Sequence, residues 1–228
     1  MTFLRRRRWL STVLIAVPVV ILAGVVIYVQ FLDPGNKNDV TSDLVTPAFS
    51  AQGARVFEVS AAESQVDFVV QVQGLNLDGV FPVQSGTITL EPVGSELRVV
   101  VRLNIDVNAV STGSPPVDDV LRSRSVMATG DYPVAFYVAA SRGLVPVTEE
   151  EITFVLDGDL ELHNVVYEHD MAVRAQLVGQ NMWAVATSDL DMANHGIQFP
   201  SFFGDTTIQL TARLHAYEGE VSDITGSP

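Results

Sequence analysis

Residues 96–108 read ELRVVVRLNIDVN. Leu97, Val99, Val101, Leu103, Ile105 and Val107 fall on alternate positions, and Arg98, Arg102, Asn104 and Asp106 occupy places between them. Extended chain puts these two sets on opposite faces, whereas a helix would scatter both around its circumference. The same period recurs along the chain. In ESQVDFVVQVQG, Val66, Phe68, Val70 and Val72 oppose Gln65, Asp67, Gln71 and Gln73; in EITFVLDGDLELH, Ile152, Phe154, Leu156, Leu160 and Leu162 oppose Thr153, Asp157, Asp159 and Glu161. Met171, Val173, Ala175 and Leu177 form another apolar set, as do Ile208, Leu210, Ala212 and Leu214. GTITLEP, PVAFYVAAS and MWAVATSDL fit shorter strands, giving about eight in all. Turn residues join them, at Gly86, at Pro92–Ser95 and at Gly179–Asn181.

Strands with one apolar and one polar face, following one another in sequence, predict an all-β antiparallel architecture. Closing them into a barrel removes exposed edges. An eight-stranded barrel is just wide enough to be filled by its own side chains or to hold one slender ligand. The inward set is Val, Leu, Ile, Phe, Met and Ala, which either packs solid or surrounds an apolar cavity, and a packed core is the commoner outcome.

Charge narrows the partners. The 228-residue chain carries all four of Arg5–Arg8 before its first acidic residue, Asp33. Beyond residue 32 there are nine basic against 27 acidic side chains. That surface repels phosphate backbones, and no basic stripe with aromatics interrupts it, so nucleic acid is excluded as a partner. The absence of cysteine removes disulfides, thiolate metal sites and cysteine nucleophiles. No Gly-x-Ser-x-Gly elbow, phosphate loop or dinucleotide fingerprint is present.

The N-terminus predicts a membrane anchor. From Trp9 to Leu32 no residue is charged, and 24 helical residues span about 36 Å, enough to cross a hydrocarbon core. Trp9 and Tyr28 sit toward its ends, where amphipathic rings favour the interfaces. The basic tail, residues 1–8, is expected to stay cytoplasmic, which sends the rest of the chain outside the cytoplasmic membrane as a single-pass protein. A cleaved signal peptide is the competing reading. Its apolar core would be shorter and followed by a small-x-small site, and QFLDPGN offers none. Residues 33–55 read as a flexible linker, 56–217 as the β domain, and 218–228 as a frayed tail.

One segment breaks the alternation: TGSPPVDDVLRSRSVMATGDYP, residues 112–133. An excursion of this length inside a compact domain is usually functional or a covering element. A short helix fits Val117–Ser125.

At this point the chain resembles the YceI-like family. ESQVDFVVQVQGLNLDGVFPVQSGTITLEP is similar to the family's opening strands through Gly79, Phe81 and Gly86. The region around the 112–133 segment is similar through Asp106, Val110, Thr112, Gly113, Asp118, Leu121, Arg122, Ser123, Tyr132 and Pro133. FVLDGDLELHNVVYEHDMAV carries Gly158, Leu160, Leu162, His163 and Val165, and AVATSDLDMANHGI ends in the Gly196-Ile197 pair. Departures cluster around the 112–133 segment, where Val117, Val120 and Ser125-Val126-Met127 replace an Arg, a His and an Asp-Phe-Phe. The last motif departs too, at Met192–Gly196.

The resemblance implies a lipocalin-like barrel outside the cytoplasmic membrane that encloses a polyprenyl or similar amphiphilic lipid, without a cofactor or catalytic residues. It implies that the 112–133 segment is a lid, with Asp118 near a helix start, Leu121 plugging the barrel end, Arg122 available for a buried ion pair, and Tyr132 leading into the next strand. The apolar lining expected from the inward sets is Phe68, Val70, Val72, Leu103, Phe136, Phe154, Leu160, Met171 and Leu210.

Other chemistry is weaker. Asp118 and Asp119 are adjacent and would not converge on one substrate. His163, Asn164 and His169, with Asp189, Asp191 and His195, fall on two expected hairpins, but their spacings match no standard metal site, so no metal is expected and they read as solvated turn residues. A lipid carrier therefore stands against a solid-cored domain that binds another envelope protein.

Overall fold

The alternating runs close on themselves. The computed structural model describes residues 53–72, 75–197 and 207–219. Within them lie strands β1 (Arg55–Val59), β2 (Gln65–Val72), β3 (Leu75–Val93), β4 (Glu96–Asp106), β5 (Val134–Ser141), β6 (Val145–Pro146), β7 (Ile152–Leu162), β8 (Val165–Glu168), β9 (Met171–Val178), β10 (Asn181–Asp191) and β11 (Thr207–Glu218). Helix α1 spans Pro115–Arg122, and a 3-10 turn spans Met192–His195. The N-terminal basic tail, the anchor and nearly all of the linker lie outside the described residues, as does most of the C-terminal tail. Among those described, no helix is long and apolar enough to cross a membrane.

Antiparallel pairing runs β3-β2-β11-β10-β9-β7-β5-β4 and returns to β3, so eight strand positions form a closed ring. The other three strands are continuations. β1 extends the place of β2, pairing Phe57 with Ile88 of β3 and with Glu218 of β11. β6 extends β5, pairing Val145 with Leu97 of β4. β8 extends β9 in one register along β7, where Leu160 faces Tyr167 and Leu156 faces Met171. Eleven strands thus occupy the eight positions that the apolar runs imply.

Two devices bend the wall. The 19-residue β3 carries a register shift between Val83 and Ser85, which lets its first half pair with β2 and its second with β1 and β4. At Gly158 the approach is close: a Cβ there would lie 2.3 Å from Ala139 Cβ and 2.5 Å from the Val138 carbonyl oxygen. The opposite neighbour kinks at the same level, where the His169 N–H donates to the Gly158 carbonyl at 2.7 Å. Tight turns close several hairpins. His163 and Asn164 both adopt positive φ, 55° and 60°, as a two-residue hairpin turn requires.

The inward faces form one apolar cluster, including Phe57, Val83, Leu103, Tyr137, Leu156 and Leu214. Phe68 stacks on Phe81 with ring centroids 4.8 Å apart and lies over Gly79, where a Cβ would overlap its ring. Any side chain at 79 would therefore have to displace the Phe68 ring.

Candidate functional site

The ring has two ends, and each is built differently. At one, residues 107–133 run from β4 to β5 and contain α1. The helix begins at Pro115, two residues before the expected start, because proline in a first turn sacrifices only N–H groups that have no helical partner. It ends at Arg122 rather than Ser125. Leu121 is buried, and Val117 and Val120 pack beside it on the core. The segment is stitched to β3, where Val80 and Ser111 exchange backbone hydrogen bonds of 2.8 and 3.0 Å.

Asp118 holds the segment from within. It is buried, and its Oδ1 accepts from both the backbone N–H and the hydroxyl of Thr112, each at 2.7 Å. Asp118→Ala should strand both donors and lower stability by about 1–3 kcal/mol, measured as a fall in the urea midpoint. An unchanged midpoint would show that the segment is not held from this residue.

Arg122 differs from expectation. Its ion pair is with Asp119, at 3.1 Å on an exposed carboxylate, so it is not buried. Its other nitrogens donate to the carbonyls of Asn108 (2.8 Å) and Val110 (2.9 Å). The guanidinium fork therefore clips the loop to the helix, a task for several donors in one plane. Tyr132 is half-buried and sets its ring edge-on to His163 at 4.7 Å. The replaced residues Val126 and Met127 are buried as well, so apolar contact here stands where the family's aromatic pair is expected.

The other end carries the β3–β4 and β9–β10 turns and the loop between β5 and β7. It opens into a mouth of about 120 Å³, whose lining includes Leu90, Leu97, Val145, Val147, Ile152 and Leu177. Further in lies a smaller inner void of about 30 Å³ with an apolar lining apart from the Tyr137 hydroxyl, bounded by Val101, Leu156, Met171, Ala184 and Ala186 among others. Val99, Phe154, Ala175 and Met182 border both spaces. A void of this size holds at most about two waters, far below the ~300 Å³ or more of a drug-sized pocket. Between the packed core and the hollow slot that the sequence left open, this structure has the interior nearly filled.

The expected lining divides accordingly. Phe68, Val70, Leu103, Leu160, Met171 and Leu210 are buried in the cluster. Leu103, Phe154 and Met171 touch the inner void. Phe136 does not belong: Ala135 and Tyr137 face in, so Phe136 points outward and is 37% exposed. Val72 ends β2, and its side chain lies outside those described.

Two histidines also depart from expectation. His169 is 8% and His195 0% exposed, so neither is a solvated turn residue. His169 Nε2 shares a 2.8 Å hydrogen bond with the Ser188 hydroxyl, and the Tyr137 hydroxyl donates to the His169 carbonyl at 3.1 Å. His195 Nδ1 lies 3.0 Å from the Val165 carbonyl. Alternation alone could have placed His169 inward, two residues before Met171; His195 follows the end of β10, where no period applies. Among the described residues no group of three or more His, Asp or Glu side chains is arranged to hold a metal.

Burial pushes both imidazoles below the ordinary histidine range; for His169 the neighbouring His195 adds to this, while Asp170 opposes it. For His195 the carbonyls of Val165 and Leu162 and the Asp191 carboxylate oppose the shift, and His163 adds to it. The unfolded chain then binds more protons than the folded one below about pH 6.5, so stability falls as pH drops through that value. The slope should reach about 1.4 kcal/mol per pH unit for each proton taken up, read from melting temperatures between pH 8 and 5. His169→Gln should flatten it; an equal slope in the variant would move the cause elsewhere.

Eight strand positions thus close around an apolar, nearly filled interior, with residues 107–133 across one end and a small mouth at the other. The chain belongs to the YceI-like family: the family's domain model, described as YceI-like domain, matches residues 57–216. Comparison with curated protein sequences finds no match. Solved structures share the fold at low identity. BcnA of Burkholderia cenocepacia superposes with a TM-score of 0.56 at 15% identity, over 69% of this chain and 98% of its own. A polyisoprenoid binding domain from Saccharophagus degradans, implicated in plant cell wall breakdown, gives 0.53 at 17% identity, covering 72% and 98%. The YceI protein of Campylobacter jejuni gives 0.51 at 14%, covering 65% and 89%.

Proposed function

We propose that this chain is a membrane-tethered, extracytoplasmic lipocalin-like barrel that binds an isoprenoid-type or other single-chain amphiphilic lipid, and that the filled ring is its ligand-free form. One observation carries the reading: a mostly apolar mouth, with Arg55, Thr148, Glu150 and Gln176 also on its wall, continues into an apolar void across side chains common to both, Val99, Phe154, Ala175 and Met182. A hydrocarbon chain asks only for such a surface, at about 25 cal/mol for each Å² it buries. The polyisoprenoid binding of the Saccharophagus degradans domain supports this ligand class. Small side chains on three neighbouring strands, Ala175, Ala184, Ala186 and Ala212, leave one wall thin, and Met171 and Met182 are unbranched and repack readily. The uncharged run at 9–32 would hold the domain beside the bilayer that stores such lipids.

The filled interior favours a second reading, a solid-cored domain that binds an envelope protein through its acidic exterior. The full chain purified from its native host, extracted with organic solvent and analysed by mass spectrometry, separates the two. The first reading expects a stoichiometric prenyl lipid, or uptake of an added polyprenol that Ala186→Phe abolishes by filling the void. A clean extract together with no uptake leaves the second.

A further inference from the structure

The open end carries an exposed apolar rim that reaches beyond the mouth, and of its tips only Val147 also lines that mouth. Exposed large apolar side chains gather on its turns: Val93 on the β3–β4 turn, Leu144 and Val147 on the β5–β7 loop, and Val178 on the β9–β10 turn. Val147 is 69% exposed, and the other three are between 44% and 49%. Their neighbours tie these turns into one rim. Glu96 pairs with Pro146, joining the β3–β4 turn to the loop. Gln176 Nε2 donates to the Glu149 carbonyl at 3.2 Å, joining the loop to β9. Arg55, at the start of β1, donates to the Gly179 carbonyl at 3.1 Å, and Gly53 lies against Pro92, closing the circle back to β3. Two aromatic residues stand on the outer wall just behind it. Trp183 and Tyr217 are 46% and 42% exposed, and both pack on His215, with centroids at 4.7 and 4.4 Å.

We propose that this rim docks on the surface of a neutral or zwitterionic bilayer, apolar tips in the headgroup layer and Trp183 and Tyr217 at interface depth. Amphipathic aromatic rings favour that depth, and apolar tips gain free energy by entering it. The direction in which the chain leaves the ring points to the membrane. β1 starts inside this rim, so the 22 residues between Leu32 and Arg55 depart from the same end, with a root-mean-square reach of about 25 Å if flexible. The uncharged run they lead to is the segment expected to lie in the bilayer, so the open end is the one held toward it. Charge selects the lipid. Glu96, Glu149, Glu150 and Glu151 are exposed on or beside the same turns and repel anionic headgroups.

The surface goes beyond lipid binding and stands whether or not the interior opens. The cysteine-free sequence allows single labels on the full chain. Val147→Cys and Val178→Cys, at exposed tips, and Asn76→Cys, exposed on the β2–β3 hairpin at the lidded end, each take an environment-sensitive fluorophore. The proteins are reconstituted in phosphatidylcholine nanodiscs containing a lipid-borne quencher. Labels at 147 and 178 should be quenched several-fold more than the label at 76, and replacing most of the lipid with phosphatidylglycerol should reduce that difference. Equal quenching at all three sites, or quenching confined to 76, overturns the proposal. So does a rim protected only when another envelope protein is added, which would make the occupant a protein. Polyprenol uptake is read separately, so loss of docking and loss of lipid binding are distinguishable.

Discussion

Gly158→Ala is expected to destabilise the domain by about 3 kcal/mol or more, a large part of the ~5–15 kcal/mol that holds a domain folded. The reason is what surrounds the position. A Cβ would meet Ala139 Cβ at 2.3 Å, the Val138 carbonyl oxygen at 2.5 Å and Ala139 Cα at 2.7 Å. Two of these are backbone atoms of β5, fixed by its ladder with β7, so they cannot turn aside as the tip of a side chain could. Relief requires β5 and β7 to separate where Ala139 faces Gly158. On the other side, the hydrogen bond from the His169 N–H to the Gly158 carbonyl couples any such shift to β8 and β9. Gly143→Ala is the control. Nothing lies within 4 Å of a Cβ there and its φ is not positive, so alanine should be neutral or slightly stabilising. Urea unfolding of both variants makes the comparison, and near-wild-type stability in Gly158→Ala would show that the two strands do not approach as closely as described.

This glycine also marks how far the sequence could be read. Period-two alternation in 96–108 and 152–162 gives strands whose inward residues are buried or half-buried on the core, with Val100 the one outward residue that is also covered, because one face is charged and a shift of one residue would bury Arg98 or Asp157. PVAFYVAAS lacks that contrast. Both of its faces are apolar, so hydrophobicity chose the bulky Phe136 for the inside, whereas the wall takes Ala135, Tyr137 and Ala139. Inward positions opposite Gly158 must be small, and this restriction belongs to the partner strand, invisible in the β5 sequence itself. The 112–133 segment was legible as an interruption with proline and aspartate, but the partners of Arg122 were not. A guanidinium beside two aspartates reads as an ion pair, while the structure spends two of its three hydrogen bonds on carbonyls of a loop more than ten residues upstream. His195 was beyond reach for another reason: its burial depends on the packing of a 3-10 turn after β10, which no periodic pattern encodes. How full the interior is also could not be read, since a void of about 30 Å³ is a small difference between the volume of the ring and that of its side chains.

Phe154→Ala should turn the filled ring into an open one. Phe154 is half-buried on β7 and borders both the mouth and the inner void. Removing its ring joins the two spaces from the side that faces solvent. Truncating a phenylalanine costs ~3–5 kcal/mol when it is fully buried, so about 2–3 kcal/mol is expected at this partly exposed site, seen as a lower melting temperature. Lipid binding should move the opposite way. If the filled form must open before a prenyl chain enters, apparent affinity is the intrinsic affinity multiplied by the small fraction of molecules that are open. Each 1.4 kcal/mol taken off that opening step raises the fraction, and the apparent affinity, about tenfold. A variant that is less stable yet binds a fluorescent polyprenyl probe more tightly is hard to explain by general damage, and Ala186→Phe in the same background should cancel the gain by refilling the void. A Phe154→Ala protein that melts lower without binding the probe any better would mean that this side chain serves packing alone and that no lipid path runs past it.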